Sequence, residues 1–379
     1  MKKMLSFAAM FAVLSYASPA SAELKIGGDA SVRARNESYT GTSSNINRDN
    51  NDLYWQYRVR LNAAADLGDG YFFKTMITDE TNNSAGGWDT VANNNTEKYT
   101  LNVSNFYFGR QLENCHYMVG RLPLNAFNNP IFDLSLDPLQ PLENPVANVL
   151  FDRAYGLSYG TKLFSGKIRG SVIVLDNFSK NNTALQGDGK LNDGYVLHLA
   201  YTDKIGDVTV EPQFLRALTH GNGISGYAST YAPPSYSYVS PYTFGANVTV
   251  PAGKAKLSFS GFYTHGKNST AYGIYNTGVV DYSGYEFRIK GEVGNFMAFY
   301  DFNRSTDKTP GNLVTGTADT KFVNNFVWAQ YKIPVYKSAA GSVTVQPTLR
   351  YLTNKVDYAT GSDINQQRLR SELWATVTF

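Results

Sequence analysis

The sequence predicts an all-β chain folded as a transmembrane antiparallel β-barrel of sixteen strands. Three observations carry that expectation. An exported leader is followed by no helix-length apolar run. Segments of about ten residues then alternate apolar and polar along most of the chain, the period of a strand with one lipid face and one wet face. The connectors between them alternate short and long, so both ends of the barrel chain fall on the short-turn side.

The leader comes first. Lys2 and Lys3 precede an apolar run over residues 4–17, and Ala20-Ser21-Ala22 supplies a small-residue cleavage site. This is the pattern of a secretory signal peptide, residues 1–22, leaving a barrel over 23–379. No later stretch reaches the ~18 apolar residues that a spanning helix needs. Hydrophobic residues make up 42% of the chain and charged residues only 17%, and Tyr (27) outnumbers Phe (22), which suits interfacial aromatic girdles. Without Lys2 and Lys3 the balance is 32 basic to 31 acidic residues, which excludes the basic footprint of a nucleic-acid binder. Cys115 is the single cysteine, so a disulfide scaffold is excluded.

Strands are expected near 24–38, 53–65, 71–80, 97–109, 116–121, 153–162, 167–177 and 193–202, then near 208–219, 242–250, 255–265, 280–290, 296–303, 321–332, 342–352 and 366–379. The second alternates cleanly, with Leu53, Trp55, Tyr57, Val59 and Leu61 opposed by Gln56, Arg58, Arg60 and Asn62. So does the twelfth, with Tyr285, Phe287 and Ile289 opposed by Glu286, Arg288 and Lys290. The ninth slips phase near Phe214 and Leu215, which predicts a bulge. Alternation is weakest in the fifth, thirteenth and fourteenth. Short turns are expected at 66–70, 111–115, 163–166, 203–206, 251–254, 291–295 and 334–341, with eight long loops rich in Asn, Ser, Thr and Gly between the other strands.

Residues 366–379, QQRLRSELWATVTF, place Leu369, Leu373, Ala375, Val377 and Phe379 on one face and Arg368, Arg370, Glu372, Trp374, Thr376 and Thr378 on the other. This ending resembles the last strand of Gram-negative outer-membrane β-barrels, whose C-terminal aromatic is read by the barrel assembly machinery. The resemblance makes Phe379 an assembly signal.

The longest connector, 122–152, holds five of the fourteen prolines and is unusually apolar, with Phe127, Ile131, Phe132, Leu134, Leu136 and Leu150. Apolar content suits a loop packed inside a wall. Here the chain resembles the sixteen-stranded general porins, whose third outer loop folds into the lumen and faces a cluster of arginines. By that resemblance Asp133, Asp137 and Glu143 are the loop acids, although the Pro-Glu-Phe-Gly-Gly motif of enterobacterial porins is absent. Arg33, Arg35, Arg58, Arg60, Arg350, Arg368 and Arg370 all take the polar parity on strands one, two, fifteen and sixteen. Closure makes strand sixteen a neighbour of strand one, so they would line one sector of the lumen.

Other signals carry less. Gly221-Asn222-Gly223-Ile224-Ser225-Gly226 fits a dinucleotide fingerprint in letters only, since it lies in a loop without the strand and helix that chemistry needs. Tyr227, Tyr231, Tyr236 and Tyr238 read as loop-packing rings before a sugar platform. His116, His198, His220 and His265 lack partners at metal-ligand spacing. His198 has lumen parity. Asp188, Asn192 and Asp193 do not follow the spacing of a Ca²⁺ loop.

Sixteen strands leave an aqueous channel. The expectation is a passive diffusion channel for small hydrophilic solutes and ions in the bacterial outer membrane, with no enzyme activity, cofactor or metal. Family resemblance adds a homotrimer, with lipid, lipopolysaccharide and the assembly machinery as partners. The alternatives are a channel specific for a sugar or an anionic solute, an outer-membrane lipid hydrolase, or an adhesin barrel.

Overall fold

The computed structural model describes residues 23–42, 50–79, 88–91, 101–125, 128–134, 153–176, 194–218, 241–268, 280–308, 320–357 and 363–379. The leader lies outside the described residues. The first eight strands are β1 Glu23–Thr42, β2 Asn50–Gly68, β3 Tyr71–Asp79, β4 Leu101–Gln111, β5 Cys115–Pro123, β6 Arg153–Leu163, β7 Gly166–Asp176 and β8 Gly194–Ile205. The second eight are β9 Val208–Ala217, β10 Tyr242–Ala252, β11 Ala255–Asn268, β12 Val280–Val293, β13 Phe296–Asp307, β14 Thr320–Tyr331, β15 Gly341–Asp357 and β16 Ile364–Thr378. Each pairs antiparallel with its neighbours, and β1 pairs with both β2 and β16. The ring is closed.

Closure answers the main cost of spanning lipid with strands, because an open edge would leave a row of backbone groups without partners. At the seam Asp29 stands opposite Thr378 and Thr42 opposite Asn365. Phe379 extends it, its N–H donating to the Gly28 carbonyl and its carbonyl accepting from the Gly28 N–H at 2.8 Å. Gly28 makes this approach possible. A Cβ there would lie 2.3 Å from the Arg60 carbonyl oxygen and 3.0 Å from Cζ of Phe379.

The two faces sort as alternation requires. Leu53, Trp55, Leu369, Leu373, Val377 and Phe379 point outward and are exposed, while Gln56, Arg368 and Glu372 point inward and are buried. An Arg or Lys on the outward face at mid-membrane would cost roughly 2–4 kcal/mol. The short turns follow the chemistry of tight connections, with Gly206 and Gly253 both at φ 61°, where a side chain is strained.

Two local expectations need correction, and one short strand is new. β9 pairs with β8 and β10 without a register shift, so there is no bulge at Phe214 and Leu215. Its phase slips because Leu215 and Ala217 face inward onto an apolar patch rather than onto water. The connector expected at 334–341 is mostly strand: Ile333–Ser338 continues β14 along β15, with a register shift between Pro334 and Tyr336. Proline has no N–H for the ladder, which suits a register shift at that point. Finally, β3 stops at Asp79, and a two-residue strand, Asp89–Thr90, pairs with Gln56 and Tyr57 of β2 beyond it.

β13 and β14, weak in the alternation pattern, are full strands. Their inward faces carry Met297, Phe299, Phe326 and Trp328, an apolar cluster with Leu352 that removes the polar half of the pattern.

The seam generates the first prediction. Gly28→Val, which inserts branched carbon into the closing contact, and Phe379→Asp, which puts charge on the outward face, should both lower the fraction of heat-modifiable folded barrel in the membrane. Gel mobility with and without boiling reads this out, and parental levels of folded form in both variants would contradict the seam's importance.

Candidate functional site: a basic sector of the inner wall

All seven expected arginines come together on β15, β16, β1 and β2. Register puts Arg35 opposite Glu372, Tyr39 opposite Arg368 and Arg350 opposite Arg370. Their parity is inward because β-strand side chains alternate between faces.

Three carboxylates are interleaved with them. The Glu372 side chain, 0% exposed, accepts from Arg35, lies 2.9 Å from Arg350 Nη2 and 3.6 Å from Arg33 Nη1, and also accepts from Trp374 Nε1 at 2.9 Å. Glu37 takes Arg370 Nε at 2.6 Å and Arg368 Nε at 3.6 Å, together with the hydroxyls of Tyr39 and Tyr54. Asp29 takes Arg60 Nε at 2.8 Å and Arg58 Nη2 at 3.4 Å. Like charges on adjacent strands repel, and each acid lowers that cost for two or three guanidiniums at once.

Rings lie over the guanidiniums of Arg33, Arg35, Arg58, Arg350 and Arg368. Arg350 Cζ lies 3.7 Å from the Trp328 centroid, and Arg33 Cζ lies 4.0 Å from that of Trp88 and 5.3 Å from that of Trp374. Such stacking adds about 0.5–2 kcal/mol per pair. Glu372 was visible in the sequence on the polar face of the last strand, and Glu37 and Asp29 share the parity of Arg33 and Arg35. Shared parity was the signal that could have found them. Trp88 carried no such signal, because it comes from a loop.

The opposite wall is built differently. In a sixteen-strand ring β9 lies eight strands from β1, and here the segment 128–134 leans on the inner face. Its helical turn α1, Ile131–Leu134, buries Ile131 and Phe132 with Leu124 against Ile173, Val196, Leu215, Ala217 and Phe262. Asn129 and Gln213 exchange two amide hydrogen bonds of 2.9 Å, Asn247 donates to Asn129, and Lys290 Nζ donates to Asn128 Oδ1 at 3.0 Å. His198 faces inward as its parity implied, with Nε2 2.8 Å from Gln213 Oε1 and its ring 4.9 Å from Phe132. Asp137 and Glu143 lie outside the described residues, as does the side chain of Asp133. On β12 and β13, Arg288 makes a bidentate pair with Asp301 at 2.6 and 2.8 Å. Among the described residues no cluster of His, Cys, Asp and Glu could hold a metal ion.

Solved structures share this architecture. The outer-membrane channel DcaP of Acinetobacter baumannii superposes with a TM-score of 0.54 at 12% identity, covering 96% of this chain and 99% of that one. The fold is that of the sixteen-stranded outer-membrane porins. The anion-selective porin from Comamonas acidovorans gives a TM-score of 0.53 at 12% identity, covering 94% of this chain and all 100% of that one. OprB of Pseudomonas putida gives 0.52 at 13% identity, covering 94% of each chain. No protein-family model matches the sequence. No curated protein matches it either. The porin fold thus persists here at identities where the shared element is the closed ring itself.

The sector generates a prediction about stability. Glu372→Gln keeps the shape but leaves Arg33, Arg35 and Arg350 around a neutral amide. Removing one partner of a buried ion pair typically costs about 3–5 kcal/mol. The denaturant midpoint of the folded barrel should fall accordingly, and an unchanged midpoint would mean that the carboxylate does not hold the arginines.

Proposed function

We propose that the protein is a porin: a water-filled, passive diffusion channel for small hydrophilic solutes and ions across the bacterial outer membrane, catalysing no reaction. The observation that carries this reading is the closed sixteen-strand ring with charge on its inner face and apolar side chains on its outer face. Rings of eight strands are filled by their own side chains, whereas sixteen enclose an aqueous channel. We further propose that residues 1–22 are removed on export and that Phe379 is the signal read by the assembly machinery. Outer-membrane lipid and lipopolysaccharide would then surround a homotrimer.

In this reading the loop 122–152 narrows the channel from the β9 side while the arginines line the other side. The segment 128–134, packed on the inner wall, supports the first half of that statement. Asp133, Asp137 and Glu143 would face the arginines across the gap. Because guanidiniums outnumber carboxylates in the sector, a weak preference for anions follows. The anion selectivity of the Comamonas acidovorans porin is a property of that protein, and agrees with this reading.

Planar-bilayer recording on purified protein is the direct test. It should show stepwise, non-saturating conductance, and a folded protein that gives no steps would overturn the channel reading. Shortening the loop between Asn129 and Glu143 should raise the single-channel conductance and admit larger sugars in liposome swelling. Unchanged conductance and size limit would place the loop outside the pore.

Charge gives a second measurement. Two unit charges ~8 Å apart interact by about 0.5 kcal/mol in bulk water and about 2 kcal/mol at an effective dielectric of 20. Replacing Arg58 and Arg60 together by Gln should move the reversal potential in a salt gradient toward cations, and the shift should shrink in molar salt, where screening reaches only ~3 Å. Identical reversal potentials at low salt would remove these arginines from the narrow part of the pore.

A further inference from the structure

Trp88 reaches the inner wall from outside the sixteen-strand pattern. β3 ends at Asp79, and the place beside β2 is taken by Asp89–Thr90, opposite Tyr57 and Gln56. The short segment is fastened by Val91 N–H to the Trp55 carbonyl at 3.0 Å and by Gln56 Nε2 to Thr90 Oγ1 at 3.1 Å. Extending that register by one residue sets Trp88 opposite Arg58 on the inward face.

The indole lands on two cations. Its centroid is 4.0 Å from Arg33 Cζ and 4.7 Å from Arg58 Cζ, and it meets Trp374 edge-on at 5.1 Å. The edges of the Arg33 guanidinium already go to Gln56 at 2.8 Å and to Glu372 at 3.6 Å. Trp88 and Trp374, whose centroids are 5.1 Å apart, pack side by side against that cation. Of the two arginines under the indole, the side chain of Arg33 is 5% exposed and that of Arg58 14%, while Arg60, next on the same face of β2, is 34% exposed.

We propose that Trp88 sets the ion preference of the channel by capping Arg33 and Arg58, so that these two arginines count in the lumen only as far as this one indole leaves them uncovered. The proposal rests on the channel reading and deepens it. A cation stacked under a ring and cut off from water is stabilised in place, but a passing anion cannot coordinate it. The segment carrying Trp88 is joined to the wall by a two-residue strand rather than by a full ladder, so the cap can be removed without unpicking the barrel.

The experiment compares the parent, Trp88→Ala and Trp88→Leu, the last keeping apolar bulk without a π face. In bilayers with a low-salt KCl gradient, Trp88→Ala should raise chloride-over-potassium permeability at least about twofold, the change expected when an ion passes a newly solvated unit charge ~8 Å away in water. Trp88→Leu should shift it the same way by less. Adding Arg58→Gln to Trp88→Ala should take back part of the gain. A second readout does not need conduction: phenylglyoxal modification of Arg33 and Arg58, followed by mass spectrometry on the folded barrel, should be faster in Trp88→Ala while Arg60 stays unchanged. Faster modification with a shifted reversal potential supports the cap. Unchanged modification and unchanged reversal potential in folded, conducting Trp88→Ala or Trp88→Leu overturn it. A parent that never conducts, with modification still accelerated, sinks the channel reading and with it the role in ion preference, leaving Trp88 only as a cover.

Discussion

The rest of the structure depends on the hydrogen-bonded seam between β1 and β16. Within lipid an unpaired strand edge leaves backbone donors and acceptors without any partner, so fifteen well-made ladders are not viable until the sixteenth closes. The seam also decides what can stand inside. It places Arg33 and Arg35 of β1 beside Trp374 and Glu372 of β16, and Arg350 of β15 one strand further on. Without closure the basic sector would be two separate groups at opposite edges of an open sheet. The same geometry that satisfies the backbone therefore concentrates the charge.

Concentrating seven guanidiniums has a cost that is met locally rather than by water. Glu372, Glu37 and Asp29 each bridge two or three arginines, and indoles and phenols lie over five of the seven. The result is a wall with the internal order of a folded core, although its groups are charged. Buried ion pairs of this kind gain little net stability over apolar packing, but they strongly disfavour rearrangement, because moving any one member strands the others. Across the ring, β7 to β11 use the opposite chemistry: Ile131 and Phe132 are held by apolar contacts, with the Asn129–Gln213 amide pair fixing their position. One wall is set by charge and ring stacking, the other by an apolar clamp.

Much of this was legible because strands report their own orientation. Parity alone put all seven arginines inward and Leu369, Leu373 and Val377 outward, as observed. Where alternation failed, it failed for a physical reason. Phe299, Phe326 and Trp328 face inward onto one another, and Leu215 faces inward onto Ile131, so those strands have apolar residues on both faces. A pattern defined by contrast cannot show where the contrast is missing. Glu37 and Asp29 carried the right parity and needed only to be considered alongside the arginines. Trp88 is of another kind: its place follows from β3 stopping at Asp79, a fact about pairing that no window of sequence contains.

Closure through Phe379 and Gly28 also has a kinetic side. Residues of β1 that pair with β2 meet partners a few tens of positions away, whereas Ala30 meets Val377 across nearly the whole chain. Loop-closure entropy makes such long-range pairings late and slow. β1 is thus the first strand to have something to pair with and the last to be finished, with its free edge facing lipid until the chain has gone full circle. Loop-closure entropy weighs most on the meeting of the two ends, the pairing with the largest sequence separation in the ring. Whatever shields an unfinished edge in the membrane therefore bears on the yield of barrels.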